Sequence, residues 1–417
     1  MANAHESLEA QWLIAKKLRH SILKELDAMA KSDSGIAELR QFEKIEAAMS
    51  NYRLPCISII WADIRFAGKE NVSEGLWQTH VSVTSAYRKS INKLTRPDQT
   101  VLKRKVEKLY QRYLKTAQEF YKGFLQRFCA RFNLEELKRV ASEADLDMKV
   151  PGHDQVDAES EQVTKIVNGI GHMTLIYLGD LSRYRTLLKA PERRTWEKAL
   201  TYYCLANDLM PESGFGHHQC GVVFIEADDR LSVLYHLYRS LTSKTPHPNA
   251  QTNLDRELKD LAKPRHAQIR RDEDALVYWF RRLLAHLNKG EEFRQHSELV
   301  GEVLNRLRLA LQKVEARTTN GLSDRRMTVR LLKMVLINIC AYRFSVDKVN
   351  KHWTDDASRS CQLILQLNVR TFDEGLVAMA KKPRSLACHA LNSRSTAHRP
   401  RARACPRSTV RGAFLAK

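Results

Sequence analysis

Apolar residues recur along this chain at three- and four-residue steps, the spacing of one helix face, and not at the two-residue step of a strand. Over 6–29 the set Leu8, Trp12, Leu13, Ala15, Leu18, Ile22, Leu23 and Leu26 predicts a first amphipathic helix. A second apolar stretch with Ile57, Ile60, Trp61 and Ile64 follows Pro55. A third covers 72–94, carrying Leu76, Trp77, Val81, Tyr87 and Ile91. Arg96-Pro97 ends it, because the residue before a proline is steered out of the helical region. The longest pattern covers 99–132, where Leu102, Val106, Leu109, Tyr113, Leu114, Ala117, Phe120, Phe124, Leu125 and Phe128 form one stripe. It predicts a helix of about eight or nine turns, long enough to span a bundle.

Over 142–162 the chain turns acidic and polar, with Glu143, Asp145, Asp147, Asp154, Asp157, Glu159 and Glu161 around Pro151-Gly152, and reads as a surface linker. From Gly171 two segments fit the 34-residue tetratricopeptide template, in which small residues let two helices cross closely. Leu178-Gly179 take the first-helix Leu-Gly positions. After an insertion around Pro191, Ala199, Tyr203, Ala206 and Pro211 take the small, aromatic, small and proline positions of the second helix. The next unit starts at Gly214, with Gly221 at the close-packing position, Val233 and Ser240 at small positions and Pro246 one residue late. Helical patterns at 272–288, 294–312 and 322–345 predict further antiparallel hairpins, stacked as an α-solenoid.

Charge changes the picture at one end. The chain of 417 residues has 69 Lys and Arg against 48 Asp and Glu, a net charge of +21 that favours phosphate-bearing partners. Ten Lys or Arg and no acid fall in 381–417, so about half of the excess sits there. That segment has too few large apolar residues to offset the entropy of ordering, and is expected to be a disordered basic tail. No run approaches the roughly 18 apolar residues of a membrane span, which sets the expectation of an intracellular protein without a membrane partner. The eight cysteines show no C-x-x-C pair and read as ordinary thiols. No Gly-rich phosphate loop, G-x-S-x-G or H-E-x-x-H is present, so no enzyme activity and no cofactor are expected. His217, His218 and Cys220 invite a metal, but adjacent ligands on one helix point apart and a fourth is missing, so no metal is assigned.

Tyr177-Leu-Gly-Asp-Leu-Ser-Arg-Tyr-Arg185, Tyr202-Tyr-Cys-Leu-Ala206, Leu209-Met-Pro211 and Arg239-Ser240 carry a resemblance to a known family. So do Tyr113-Leu-Lys-Thr-Ala-Gln-Glu-Phe-Tyr121 and Pro246-His-Pro-Asn-Ala-Gln-Thr-Asn-Leu254. Over about 70–255 the chain resembles the ever-shorter-telomeres proteins and the SMG-type nonsense-mediated decay adaptors. The resemblance implies an all-α fold: a 14-3-3-like helical bundle continuing into tetratricopeptide-like hairpins. Taken with the patterns above, it divides the chain into a bundle over 1–162 completed by the helix at 163–190, repeats over 163–255, hairpins over 256–350 read from the apolar pattern and the tail over 381–417 read from composition. It also implies recognition of phosphoserine or phosphothreonine peptides, as from a phosphorylated decay helicase, and RNA or single-stranded DNA binding in the telomeric branch. Pairing with a related adaptor, and a place in nucleus and cytoplasm, go with it.

Within that relation Gly179-Asp-Leu-Ser-Arg-Tyr184 is similar to the Gly-Asp-x-x-Arg-Tyr of 14-3-3 proteins, where the Arg and Tyr hold phosphate; here these are Arg183 and Tyr184. A guanidinium presents paired donors to phosphate oxygens and a phenol adds one more. Asp180, three residues before Arg183, is placed to orient it. Ala86-Tyr-Arg-Lys89 resembles the 14-3-3 segment that supplies a second cation, which points to Arg88 and Lys89. Counting from Leu76-Trp77 puts that position near Ser82 instead. The alternative for Arg183 is a plain ion pair with Asp180. Lys103, Arg104 and Lys105 form a basic run that either contacts nucleic acid or is a solvated face. The six tryptophans are expected in the core.

Overall fold

The computed structural model describes residues 2–31, 35–144, 146, 155–156, 160–262, 272–290, 294–319 and 325–380. Most of the predicted acidic linker and all of the predicted basic tail lie outside these residues. The described chain is all-α, with fifteen α-helices and two isolated backbone bridges, Phe132 to Val156 and Ser213 to Thr245. It divides into two compact units, Met1–Pro211 and Glu212–Lys417.

The N-terminal unit contains α1 (Ala2–Ala30), α2 (Gly35–Ala62), α3 (Ile64–Lys69), α4 (Val72–Lys93), α5 (Thr100–Arg131), α6 (Glu135–Glu143), α7 (Glu161–Leu187) and α8 (Glu197–Leu209). Helix α2 runs through Pro55, which the sequence pattern set at the edge of an apolar stretch. Asp63 ends α2 and starts α3, accepting from the Arg65 and Phe66 amides. Helix α5 buries Val106, Tyr113, Leu114, Ala117, Phe124, Leu125 and Phe128 as the stripe predicts, and adds Tyr110, Gln118 and Tyr121. Ser160 caps α7, accepting from the Val163 amide at 3.3 Å. Nearly every residue from Thr174 to Ser182 is buried, because α3, α5 and α8 all pack against α7 and cover more than one face.

The core of this unit is aromatic. Trp77 and Tyr177 stack with centroids 4.3 Å apart and planes at 13°, and Tyr121 meets both edge-on. Beneath them Arg53, only 7% exposed, directs Nε to Nε2 of His80 at 3.4 Å and lies over the Phe120 ring. A guanidinium only donates, so Nε2 accepts and the other imidazole nitrogen carries the proton toward the Tyr113 hydroxyl at 2.9 Å. Burial, then the nearby Arg53 charge, holds the His80 pKa well below its ordinary value, and the ring is neutral.

The C-terminal unit contains α9 (Phe215–Glu226), α10 (Arg230–Leu241), α11 (Ala250–Ala262), α12 (Asp272–Lys289), α13 (His296–Thr319), α14 (Arg325–Lys351) and α15 (Asp355–Ala380). Helices α9 and α10 form an antiparallel-type hairpin of the tetratricopeptide kind, in which a Cβ on Gly221 would meet Leu237 at 3.3 Å. Helix α15 lies past residue 350, where the pattern of the sequence assigned no element, and it packs on α12, α13 and α14. Gly290, at φ +72°, ends α12 where a Cβ would stand 1.9 Å from the Asp356 carbonyl oxygen, and Arg359 donates to the Gly290 carbonyl. Of the tryptophans, Trp12 and Trp77 are buried, whereas Trp353 is 68% exposed and is not core. No helix among the described residues is long and apolar enough to cross a membrane.

Candidate functional site

The residues singled out on α7 and α4 meet in space. The guanidinium carbon of Arg183 lies 4.7 Å from the centre of the Tyr184 ring, and that of Arg88 lies 4.9 Å from the same ring. Two cations from different helices therefore share one phenol, an arrangement worth about 1 kcal/mol per contact where water is partly excluded. Arg183 donates through Nη2 to Asp180 Oδ1 at 3.1 Å and through Nε toward the Tyr203 hydroxyl at 3.5 Å. Tyr203 donates to the same Asp180 oxygen at 2.6 Å.

The floor of this arrangement depends on Gly179. A Cβ there would fall 2.3 Å from the Tyr203 ring, so only glycine lets α8 bring Tyr203 under Asp180. The tetratricopeptide-like Leu178-Gly179 step and the site thus have one physical cause. The side chains of Arg183 and Asp180 are 12% and 7% exposed. The Arg183 Nη1 edge and the whole Arg88 guanidinium take no acceptor from the described residues.

The electrostatics keep the charges in place. Burial works against the Arg183 charge, but Tyr203, Asp180 and Tyr184 more than offset it, and its pKa is held above the ordinary arginine value. Burial, then Asp180, holds the Tyr184 phenol above its usual pKa despite the two guanidiniums, so it is a donor at neutral pH. Two guanidiniums meet at the Tyr184 ring and one carboxylate, Asp180, pairs with Arg183, so the cluster has an excess positive charge with donors left over.

Lys89 is exposed one position past Arg88, about 100° round α4, and is not drawn into the cluster. Ser82, the alternative second position, directs its hydroxyl to the Gln78 carbonyl. Lys103 and Arg104 lie in the first turns of α5; Lys105 lines a separate groove on α5. Tyr203 was legible only as a repeat position, and Arg53 was not singled out at all. His217 and His218 are engaged elsewhere, His217 against His236 at 3.1 Å and His218 stacked on His247.

Helical hairpins of this kind, with tetratricopeptide-like close packing at Gly179 and Gly221, define an all-α scaffold of the bundle and α-solenoid class. The chain belongs to the Est1 and SMG7 family: the model described as telomerase activating protein Est1 matches residues 71–189, and that of the Est1 DNA/RNA binding domain matches residues 199–393. A nonsense-mediated mRNA decay factor SMG7-like protein of Arabidopsis thaliana is 36% identical over 35% of this chain and 17% of its own length. The telomere elongation protein est1 of Schizosaccharomyces pombe is 26% identical over 43% of this chain and 38% of its own. The matched part is thus well under half of each of these relatives. Among solved structures, a chain of Est1 and Cdc13 superposes with a TM-score of 0.62 at 14% identity, covering 86% of this chain and 70% of that one. A chain of the C. elegans SMG5-SMG7 complex superposes with a TM-score of 0.52 at 14% identity, over 87% and 77%. At that identity the likeness is one of fold.

Proposed function

We propose that this chain is a non-enzymatic adaptor that binds phosphoserine or phosphothreonine peptides in nonsense-mediated mRNA decay, telomere maintenance or both. One observation carries the proposal: Arg88 and Arg183 flank Tyr184, and a single carboxylate, Asp180, is paired with Arg183. A phosphate ester of nearly two negative charges neutralises that excess and takes the unused guanidinium edges, while Asp180 fixes the angle of Arg183. Lys89 adds charge at longer range. The bundle over 1–162 with the helix at 163–190 holds the phosphate, and the hairpins of 163–255 and 256–350 hold further partners. The phosphorylated partner is a decay-helicase-like protein, pairing is with a related adaptor, no membrane is involved, and the place of action is nucleus and cytoplasm.

The test is binding of one peptide with and without its phosphate, to the wild type and to Arg183→Glu. Preference for the phosphorylated form that disappears in the variant supports the reading; equal affinity for both forms in the wild type removes it. A second reading rests on the match of residues 199–393 to a DNA/RNA binding domain: the chain contacts telomerase RNA or single-stranded telomeric DNA through basic surface. It requires affinity that falls steeply with salt, and truncation before Lys381 separates the tail from the folded part.

A further inference from the structure

A different face of the N-terminal unit carries a second concentration of positive charge. A groove of about 950 Å³ lies along α5, the end of α7 and the start of α8. From α5 it is lined by Lys105, Lys108, Arg112 and Lys115, which follow one helix face at steps of three and four and make a row about 15 Å long. Arg185, Lys189 and Lys198 line it from the other side, and Glu43 is the one acidic residue of its lining. Arg112 reaches Glu46 at 3.1 Å and Lys115 lies 3.8 Å from Glu119. Among the described residues no carboxylate comes within ion-pair distance of the other five cations.

The groove has an organised floor. Gln118, 5% exposed, donates through Nε2 to the Ser182 hydroxyl at 2.8 Å, and its carbonyl oxygen accepts from Arg185 Nη1, so a buried amide aims this guanidinium. Burial, then Arg185 and Lys122, lowers the Lys198 pKa, as expected where like charges crowd without a counterion. None of Arg88, Asp180, Arg183 or Tyr184 lines the groove. Arg183 and Arg185, two positions apart, point about 200° apart round α7.

The shape and lining select among anions. A row of about 15 Å is longer than one phosphate needs and suits a chain with charges at intervals. No aromatic side chain lines the groove, so the bases of a single strand have no ring to stack on. Leu39, Leu109 and Leu188 do line it, and apolar side chains of a ligand would cover them.

We propose that this groove binds an extended acidic segment of another protein, in which Asp and Glu alternate with aliphatic residues, independently of the phosphate cluster. The experiment uses the full chain and a fluorescent peptide of about eight residues, Asp and Glu interspersed with Leu, long enough to cover the lysine row. The same peptide with Asn and Gln in place of the acids is the control. The wild type is expected to bind the acidic peptide at least about tenfold more tightly than the amide peptide. Lys108→Glu combined with Lys189→Glu, both exposed positions, is expected to lose about tenfold or more, with an unchanged circular dichroism spectrum. Arg88→Glu, which strikes the phosphate cluster alone, is expected to stay within about twofold. Equal binding of both peptides, or full binding by the double variant, would overturn the proposal. A single-stranded RNA that outcompetes the acidic peptide, with the same dependence on Lys108 and Lys189, would overturn it in favour of nucleic acid.

Discussion

In the N-terminal unit Arg88 and Arg183 share the Tyr184 ring and only Arg183 has a carboxylate, Asp180; in the C-terminal unit Arg230 and Arg281 share Glu257, and Arg230 also holds Asp228. Both clusters contain a guanidinium that is mostly buried, 12% exposed at Arg183 and 15% at Arg281. The difference lies in the balance. The C-terminal cluster is balanced in charge, with Glu257 accepting from both arginines at 3.0 and 3.2 Å, and it reads as an internal tie between α10, α11 and α12, although Arg281 Nε is buried without a partner. The N-terminal cluster has one more cation than anion and keeps guanidinium edges without acceptors. Burial of an arginine alone therefore says little about binding; the count of carboxylates around it says more.

The largest effects are expected on removing each buried arginine. Arg183→Ala is expected to cost about 3 kcal/mol in urea unfolding, because it leaves the buried Asp180 without its ion-pair partner, and Arg281→Ala about 1 to 2 kcal/mol, because Glu257 keeps Arg230. Only Arg183→Ala is expected to weaken phosphopeptide binding, by about a hundredfold in fluorescence anisotropy. An Arg281 variant that loses the phosphopeptide equally, at the same folded fraction, would erase the distinction.

The two close-packing glycines sharpen it in another way. Gly179→Ala places a Cβ 2.3 Å from the Tyr203 ring and is expected to destabilise by about 3 kcal/mol, while dislodging the Asp180 support. Gly221→Ala meets Leu237 at 3.3 Å, a contact that a flexible side chain can yield to, and gains helix propensity. Its thermal unfolding is expected within about 1 kcal/mol of the wild type.

Acid separates the units next. Burial, then Arg239, lowers the His217 pKa to about 3, and burial with His217 puts His236 well below its ordinary value. Such histidines are neutral in the fold, so stability is intact above the ordinary histidine pKa near 6.5 and falls as pH drops from there toward 3. The loss is about 1.4 kcal/mol per pH unit for each histidine. The N-terminal unit has His80 under the same sign. Hydrogen exchange between pH 7 and 5 is expected to show the hairpin of α9 and α10 opening before the α4 and α5 core; the reverse order would contradict the burial of His217 and His236.

The smallest effects lie at the rim. Arg88→Ala is expected to cost about tenfold in phosphopeptide affinity and less than about 0.5 kcal/mol in stability, since its side chain is exposed. Lys89→Ala is expected to change affinity by about twofold, measured in the same titration. A larger effect of Lys89 than of Arg88 would move the second cation one residue along α4.

Much of this was open to reading in the chain. The stripe of α5, the end of α4 at Arg96-Pro97 and the Leu178-Gly179 step follow from local spacing and backbone chemistry, which act within a few residues. The pairing of Arg183 with Asp180 is likewise a matter of helix spacing. Helix α15 was not legible, because its packing on three other helices supplies stability that its own pattern does not announce.

The helical class, the hairpin punctuation and the identity of the cationic candidates are written in the order of residues, because each depends on positions three or four apart on one turn of backbone. Only the tertiary structure decided that Arg88 reaches the ring of Tyr184, nearly a hundred residues away, while its neighbour Lys89 does not. It alone placed Tyr203 beneath Asp180 and set seven scattered cations around one groove. Such juxtapositions come from the packing of whole helices, and a shift of one residue in register would turn each side chain by about 100°.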